Sequence, residues 1–206
     1  ILSHKDFVQI SSNTVPWSCN WKLAVESALE VYHVNSVHPQ TFRKHSTKEI
    51  EGFASEGSSK SIVQSTHELI NWWAKVRSKL KIERVLNSDD YVHYFLYPNI
   101  AIGITCGTLI SIQRYIPVDK FNSIVEYTLY LRKPASDDQS FFKAISQSLS
   151  SFNEQVLAED QKVSESCQMG MRNGGPVAIL GRCEWRIQSF HAQIKHDVSG
   201  SASNGV

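Results

Sequence analysis

The sequence has no long apolar run and no excess of charge of either sign. No stretch approaches the roughly 20 apolar residues that a membrane-spanning helix needs, and no signal peptide is visible in it. The 21 Lys and Arg residues nearly balance the 20 Asp and Glu residues, and these charges are dispersed along the chain. We therefore expect neither a membrane nor a nucleic acid as partner. A chain of 206 residues without internal repeats is predicted to form one domain.

Cysteine is scarce, and its spacing fits no paired motif. The four residues are Cys19, Cys106, Cys167 and Cys183, and none is followed by a histidine within three residues. Each is predicted to be a small core residue with a reduced thiol. Reduced thiols are typical of a cytoplasmic protein, and we expect that location.

The sequence does contain a pair of histidines, His33 and His38, with Glu30 three residues before the first. Two imidazoles at this spacing can bind one ion if a helix that carries Glu30 and His33 ends before His38, so that the second ring folds back. Pro39 predicts that end, because a proline disfavours helical backbone in the residue before it. We expect the helix over residues 22–34, with His38 on an extended segment beyond it.

A third ligand is predicted on a long helix over residues 136–170, which begins with the form of a capping box. The apolar stripe of this helix consists of Ile145, Leu149, Phe152, Val156, Val163 and Cys167. Asp160 fills the gap in the stripe, where an ionised carboxylate is costly unless it is paired or binds a metal. An ion pair with a Lys or Arg is the alternative. The neighbouring Glu159 lies off the stripe and is predicted to be a solvated surface charge.

Two histidines and one carboxylate leave coordination positions open on a metal ion. The set of His33, His38 and Asp160 therefore suits non-heme Fe(II) that must bind dioxygen. Zinc uses the same ligand types with water in the open position, so a zinc hydrolase is an alternative.

These residues resemble the iron-binding signature of a known family. The signature residues are Asn20, Trp21, Lys22, Leu23, Glu26, Glu30, Tyr32, His33, His38 and Pro39. They look like the catalytic domain of the large (alpha) subunit of Rieske non-heme iron oxygenases, the ring-hydroxylating family. Residues 97–100, 159–170 and 184–191 resemble later segments of the family's sequences, and they occur in the same order. The resemblance covers about residues 15–196.

The resemblance implies a mechanism and its cofactors. His33, His38 and Asp160 would hold one Fe(II), and dioxygen would be the co-substrate. Electrons would pass from NAD(P)H through a reductase or ferredoxin and a [2Fe-2S] Rieske cluster to the iron. Glu30 would bridge the iron site to a cluster histidine of a neighbouring subunit, which implies a homotrimer.

The substrate that the resemblance implies is a small organic molecule. Glu30 stands where many ring-hydroxylating members have Asp, and it is more similar to the branch that oxidises quaternary ammonium compounds. An aromatic ring and a quaternary ammonium or alkyl compound both stay open, as do monooxygenation and dioxygenation. Ser27 replaces an Asn that often follows the first Glu of the signature, and we expect it at the pocket wall.

The chain has no place for the Rieske cluster itself. Such a cluster needs two Cys and two His, and the cysteine contexts supply no such motif. We expect residues 1–198 to be a catalytic mononuclear-iron domain whose upstream Rieske domain is absent from this chain. Residues 199–206 are predicted to be a disordered tail.

The order of elements predicts the fold class. Strands are expected over residues 91–97, 100–105, 109–116 and 123–132. They follow a short strand-like start and a polar stretch over residues 43–60, for which an irregular excursion and a strand are the alternatives. Helices are expected behind a capping box at residues 65–68 and over residues 182–196. Consecutive strands with short connections predict an antiparallel sheet and the α+β class. The resemblance implies a helix-grip (START-like) fold, with a curved antiparallel sheet wrapped around a long C-terminal helix.

Other side chains near the predicted ligands have two interpretations each. We expect a substrate pocket to be lined by Ser27, Val34, Phe152 and Val156, with core packing as the alternative. Glu26 shares a face of the predicted helix with Glu30 and His33, so it either supports the metal site or is a surface charge. Structural hydrogen bonds are predicted for His67, His93 and His191, and solvation for His4, His45 and His196. For the whole chain, the alternative to an enzyme is a non-catalytic helix-grip module that binds a hydrophobic ligand.

Overall fold

Seven strands form one antiparallel sheet. The computed structural model describes residues 4–38, 41–42, 48–175 and 179–203. The strands are β1 (Phe7–Trp17), β2 (Glu49–Ser55), β3 (Ser58–Val63), β4 (Tyr91–Leu96), β5 (Ile100–Thr105), β6 (Leu109–Pro117) and β7 (Ser123–Arg132). Their order is β1-β7-β6-β5-β4-β3-β2. The first strand therefore pairs with the last one, and the other neighbours are consecutive in the chain. They are joined by short turns, except that α3 lies between β3 and β4.

Helices of very different length accompany the sheet. They are α1 (Trp21–Leu29), α2 (Val34–Val37), α3 (His67–Leu80), α4 (Gln139–Arg172) and α5 (Trp185–Ser203). α4 contacts β1, α1 and α2, while α5 contacts β2, β3 and α1. None of the described helices combines the length and the apolar character that a membrane crossing requires. The α+β class, with a curved antiparallel sheet and a long C-terminal helix, is confirmed.

The burial pattern of β7 decides which face of the sheet is covered. Its buried residues alternate with half-buried ones and are Ser123, Val125, Tyr127, Leu129 and Leu131. Successive side chains of a strand point to opposite faces, so these residues share one face. On that face Val125 and Tyr127 pack with α1 and α5, Leu131 packs with α3, and α4 contributes to both clusters. The core lies between this sheet face and the helices.

The four predicted strands are confirmed. β5 and β7 have the predicted bounds, and β4 and β6 each differ by one residue. The polar stretch at residues 43–60, of which 43–47 lie outside the described residues, contains β2 and the start of β3, so the strand alternative is confirmed for its described part. β2 is an edge strand whose side chains are mostly exposed, so it needs no alternation of apolar residues. The sequence pattern therefore did not fix its bounds.

The first predicted helix is wrong beyond Leu29. α1 ends there, Glu30 has extended backbone (φ −125°, ψ 158°), and His33 precedes the short α2. The β-branched Val31, just beyond the end of α1, loses side-chain freedom in a helix. The Glu30 side chain also accepts a hydrogen bond from the His33 backbone N–H (3.0 Å), which competes with helical pairing. Pro39 lies outside the described residues.

The long helix begins three residues later than predicted, and its buried face shifts after Asp160. Asp138 is the cap, because its carboxylate accepts from the Phe141 N–H at 3.0 Å. Beyond Asp160 the buried positions are Ser164 and Gln168, whereas the predicted core positions Val163 and Cys167 are exposed. The face shifts because two polar side chains of α4 bind the backbone before α1. Gln168 accepts a hydrogen bond from the Asn20 N–H, and Glu165 accepts one from the Ser18 N–H, both at 2.8 Å. These bonds satisfy the backbone that leads into α1.

Two further predictions are wrong. Residues 199–203, predicted as part of a disordered tail, continue α5, since extending a formed helix costs little; residues 204–206 lie outside the described residues. Cys19 and Cys106 are buried as predicted, but Cys167 and Cys183 are exposed. Cys183 lies in a 3₁₀ turn (Arg182–Glu184) that has no buried residue.

Gly107, in the turn between β5 and β6, is a position where only glycine fits. Its φ is +60°, and a Cβ would lie 2.1 Å from the carbonyl oxygen of Leu86. We expect Gly107→Ala to lower the free energy of unfolding by about 3 kcal/mol or more, from left-handed strain plus overpacking. Gly174→Ala is the matched control, because φ is +76° there and nothing lies within 4 Å of the added carbon. It should cost about 1 kcal/mol. Urea unfolding measures both, and equal losses would contradict the steric argument.

Candidate metal centre

Three side chains from two distant parts of the chain meet at one point. His33 and His38 flank α2, and Asp160 lies on α4. The Nε2 atoms of His33 and His38 lie 3.7 and 3.0 Å from the same oxygen of Asp160, Oδ1. One ligand atom of each residue lies within 4.8 Å of the other two. Two ligands bound to one ion at about 2.1 Å are at most about 4.2 Å apart, so both Nε2–Oδ1 distances suit a shared ion.

A carboxylate holds each imidazole from its other side. His33 Nδ1 is hydrogen-bonded to Glu30 Oε1, and His38 Nδ1 donates to Glu159 Oε2 at 2.8 Å. A neutral ring that donates from Nδ1 keeps its lone pair on Nε2. Both rings thus turn a metal-binding nitrogen toward Asp160, with the partner that metal-ligating histidines almost always have.

Glu159 is a site residue that the periodicity of α4 did not reveal. It accepts hydrogen bonds from His38 Nδ1 and from the Thr41 hydroxyl (2.6 Å), and its side chain is only 19% exposed. The prediction of a solvated surface charge is wrong, because the segment that follows α2 covers this edge of α4. The available signal was its place beside Asp160, since consecutive helical residues can flank one ring.

Negative charge collects at this point, and no described Lys or Arg lies against it. Glu30, Glu159 and Asp160 form ion pairs with His33 and His38. In the part of the chain that the structure describes, none of the three pairs with a Lys or Arg, so the alternative partner of Asp160 is not found there. Three carboxylates around two imidazoles, largely removed from water, are costly unless a cation neutralises them. A divalent metal ion does so.

The protonation of His38 is coupled to its two carboxylates. Its ring is 1% exposed, and burial by itself would lower its pKa. Hydrogen bonds and charges of Asp160 and Glu159 outweigh that effect, so the pKa of His38 is raised. A metal ion that binds Nε2 must displace the proton that this pairing favours. Two imidazole nitrogens and a carboxylate oxygen fit Fe(II) with open coordination positions, and they also fit zinc.

A cavity of about 410 Å³ opens beside the three candidate ligands, a volume in the usual range for small-molecule sites. All four predicted pocket residues line it: Ser27, Val34, Phe152 and Val156. Aromatic walls come from Trp17, Phe42, Trp73, Tyr91 and Tyr115. The cavity therefore offers a mainly apolar site next to the metal ligands.

Two polar atoms in the cavity wall have no partner. Ser111 Oγ and Asn153 Nδ2 are buried and make no hydrogen bond with any described residue. Buried polar groups are almost always satisfied in folded proteins. Neither atom is accessible from the cavity, so both are unsatisfied groups inside the wall and not contacts for a bound molecule.

The other predicted residues lie elsewhere. Glu26 hydrogen-bonds His191 on α5 at 2.8 Å and does not line the cavity. The end of α1 at Leu29 removes the helical face that it was predicted to share with His33, so its predicted support of the metal site is not found. His93 is hydrogen-bonded to the buried Arg186, a cavity residue that sequence analysis missed. His45 lies outside the described residues.

A comparison with protein families identifies the fold and its lineage. The model of the ring-hydroxylating alpha subunit (catalytic domain) matches residues 5–200. The chain belongs to this family. The match covers every element from β1 through most of α5, so the predicted resemblance is confirmed for the catalytic domain of a ring-hydroxylating alpha subunit.

Solved structures with the same fold include Rieske monooxygenases. The quaternary ammonium Rieske monooxygenase CntA in complex with an inhibitor has a TM-score of 0.68 and 15% sequence identity, over 92% of this chain and 49% of that one. Dicamba monooxygenase bound to 3,6 dichlorosalicylic acid has a TM-score of 0.65 and 15% sequence identity, over 97% of this chain and 61% of that one. NdmB of Pseudomonas putida CBB5 has a TM-score of 0.60 and 14% sequence identity, over 97% of this chain and 53% of that one. The chain spans about half the length of CntA. Curated proteins gave no match.

The hydrogen bond from His38 to Glu159 makes a testable contribution to metal affinity. Glu159→Gln keeps the shape but removes the charge that holds the ring, and we expect it to weaken Fe(II) binding about 10-fold. Anaerobic competition with a chelating dye measures the dissociation constant. Glu154→Gln, at an exposed carboxylate on the same helix, should leave it unchanged. Equal affinities of the two variants would refute a role for Glu159.

Proposed function

We propose that this chain is the catalytic domain of a Rieske non-heme iron oxygenase. It binds one Fe(II) through His33, His38 and Asp160 and hydroxylates a small organic substrate in the adjacent cavity. The observation that carries the proposal is that a carboxylate fixes each imidazole at Nδ1 and turns its Nε2 toward Asp160. Iron bound there supplies the activation of dioxygen. A module that only binds a hydrophobic ligand has no use for this arrangement.

The reaction needs reducing equivalents from outside this chain. Inserting one atom of dioxygen into a C–H bond and reducing the other to water takes up a pair of electrons and a pair of protons. We assign their supply to NAD(P)H, through a reductase or ferredoxin and a [2Fe-2S] Rieske cluster. The cluster would lie outside this sequence, which agrees with a chain about half as long as CntA. All four cysteines are free, as expected of a cytoplasmic enzyme.

Glu30 is the proposed entry point for electrons. Its carboxylate contacts the His33 ring and the His33 backbone N–H, so it adjoins a metal ligand directly. The neighbouring Tyr32 is 53% exposed, so this part of the chain reaches the surface. A cluster-bearing domain of another subunit can dock there, which is the reason to propose a homotrimer.

The cavity residues prepare the substrate for reaction. The aromatic walls exclude water and hold an apolar body. Among the solved structures with this fold, CntA is in complex with L-carnitine and dicamba monooxygenase is bound to dicamba. A quaternary ammonium compound and an aromatic compound are thus both candidate substrate classes.

The proposed ligand set predicts which variants lose iron. After anaerobic reconstitution and desalting, the wild-type chain should retain about one iron per chain, and His33→Ala and Asp160→Ala should retain almost none, because two ligands cannot hold the ion tightly. His196→Ala is the control, since His196 is largely exposed. Metal analysis of the desalted protein is the measurement.

Unchanged iron in His33→Ala would instead favour a module that binds a hydrophobic ligand. Substrate turnover that does not consume dioxygen would favour a zinc hydrolase. Zinc in protein purified in air decides nothing, because N and O ligands bind zinc more tightly than Fe(II).

The electron route predicts a variant that keeps iron but loses turnover. In the full-length oxygenase at saturating Fe(II), we expect Glu30→Gln to slow single-turnover oxidation of the Rieske cluster about 10- to 100-fold. Stopped-flow absorbance of the cluster measures this rate. Glu26→Gln, one helical turn earlier and paired with His191, should keep the wild-type rate. A wild-type rate in Glu30→Gln at full iron occupancy would exclude the route.

A further inference from the structure

Arg186 is a charged side chain buried in the wall of the cavity. It lies in the first turn of α5 and is 2% exposed. Its Nε donates to Ser59 Oγ at 2.9 Å, and one Nη donates to His93 Nδ1. The other guanidinium N–H groups have no hydrogen-bond partner among the described residues. Arginine has five such donors, so most of its capacity is unused by the protein.

No described carboxylate forms a direct ion pair with this guanidinium. Arg186 forms no ion pair with any described residue, and the segments outside the description contain no Asp or Glu. Glu49, whose charge acts on Arg186, is engaged by Trp185 Nε1 (3.0 Å) and by the Ser61 hydroxyl. Burial lowers the pKa of Arg186 to about 10, so it stays charged at neutral pH. A buried charge without a counter-ion is costly, and a bound anion removes that cost.

The two neighbours of Arg186 in the wall are also donors. Burial and the charge of Arg186 hold the pKa of His93 well below its ordinary value. The neutral ring accepts from Arg186 at Nδ1 and therefore carries its proton on Nε2. Burial raises the pKa of Tyr91 to about 12, so its hydroxyl keeps its proton. Among the described residues, this end of the cavity has several donors and no anionic acceptor.

Tyr91 links this end of the cavity to the metal centre. The charges of Arg186 and Asp160 both act on its hydroxyl. Gly103 on β5 makes room for it, because a Cβ there would lie 2.6 Å from Tyr91 Oη. The lining of the cavity thus carries a positive charge at Arg186 and negative charges at Glu30 and Asp160, beside the candidate histidine ligands.

We propose that Arg186, with His93 and Tyr91, binds a carboxylate of the substrate, so that the oxidised molecule is an organic acid. This inference rests on the proposed function and narrows its substrate class. A carboxylate paired with a planar guanidinium is held in a fixed direction. The rest of the molecule then extends across the cavity toward His33, His38 and Asp160, and this orientation selects the carbon that is oxidised.

Binding of matched probes to the metal-free protein tests the subsite without any redox chemistry. Benzoate and benzamide have nearly the same shape and differ in charge, and tryptophans in the cavity wall report their binding by fluorescence. We expect wild-type protein to bind benzoate at least about 10-fold more tightly than benzamide. This is the ratio of dissociation constants that corresponds to one hydrogen bond between charged groups. Arg186→Gln should reduce this ratio to about one. Arg77→Gln, at a buried arginine outside the cavity lining, should keep it.

A purely structural role for Arg186 gives a different result. Arg186→Gln would then weaken both probes equally and leave their ratio unchanged, which would overturn the proposal. If that variant does not fold, the wild-type ratio still decides, because equal or tighter binding of benzamide, or no binding of benzoate at millimolar concentration, would also overturn it. If the chain prefers benzoate but does not bind iron, the result would support the carboxylate subsite and contradict the proposed oxygenase function.

Discussion

The site depends on two carboxylate–histidine hydrogen bonds that orient imidazoles from different parts of the connection after α1. Glu30 holds His33 and Glu159 holds His38, each at Nδ1. Glu159 and Asp160 are consecutive on α4 and contact opposite edges of the same His38 ring, at Nδ1 and Nε2. The tautomer of each ring follows from these contacts, and with it the nitrogen that is free for a metal. Without the Nδ1 partners, either nitrogen of each ring would be available and the direction of the lone pairs would be undefined.

Sequence periodicity predicted Asp160 but not Glu159, and the reason is geometric. The stripe of α4 shows which residues face the sheet and α1, but it carries no information about a segment that crosses the helix at the edge of that stripe. His38 and Thr41 belong to such a segment. The end of the helix over residues 22–34 was wrong because it was placed from Pro39, whereas the side chain of Glu30 offers the backbone a competing hydrogen bond several residues earlier. Strands β4 to β7, which are fixed by alternation and turn residues, were predicted to within one residue.

The role of Arg186 could not be predicted from the sequence, because it depends on the burial of its guanidinium without an ion-pair partner. A lone arginine near the start of a helix normally reads as a surface charge. Its burial follows from the position of α5 across β2 and β3, which depends on the pairing of the whole sheet. The same sheet places Tyr91 and His93 on β4 with their side chains on one face, since residues two apart in a strand point the same way. Arg186 and Asp160 place opposite charges in the lining of a mainly apolar cavity, where they act over a low dielectric and orient a bound molecule more strongly than they would in water.

The short helix α2 shows why the metal ligands and the fold are energetically linked. None of its four residues is buried, so hydrophobic packing does little to hold it. The described contacts that fix its C-terminal end are those of His38 with Glu159 and Asp160 and of the His38 ring with Phe42 (5.1 Å between ring centroids), which in turn packs on Phe152. The proposed ion, shared by His33, His38 and Asp160, would join this segment to α4 by direct bonds. Because Asp160 is far from the two histidines in an unfolded chain, the ion would bind the folded state far more tightly, and its binding free energy would add to the stability of this wall of the cavity.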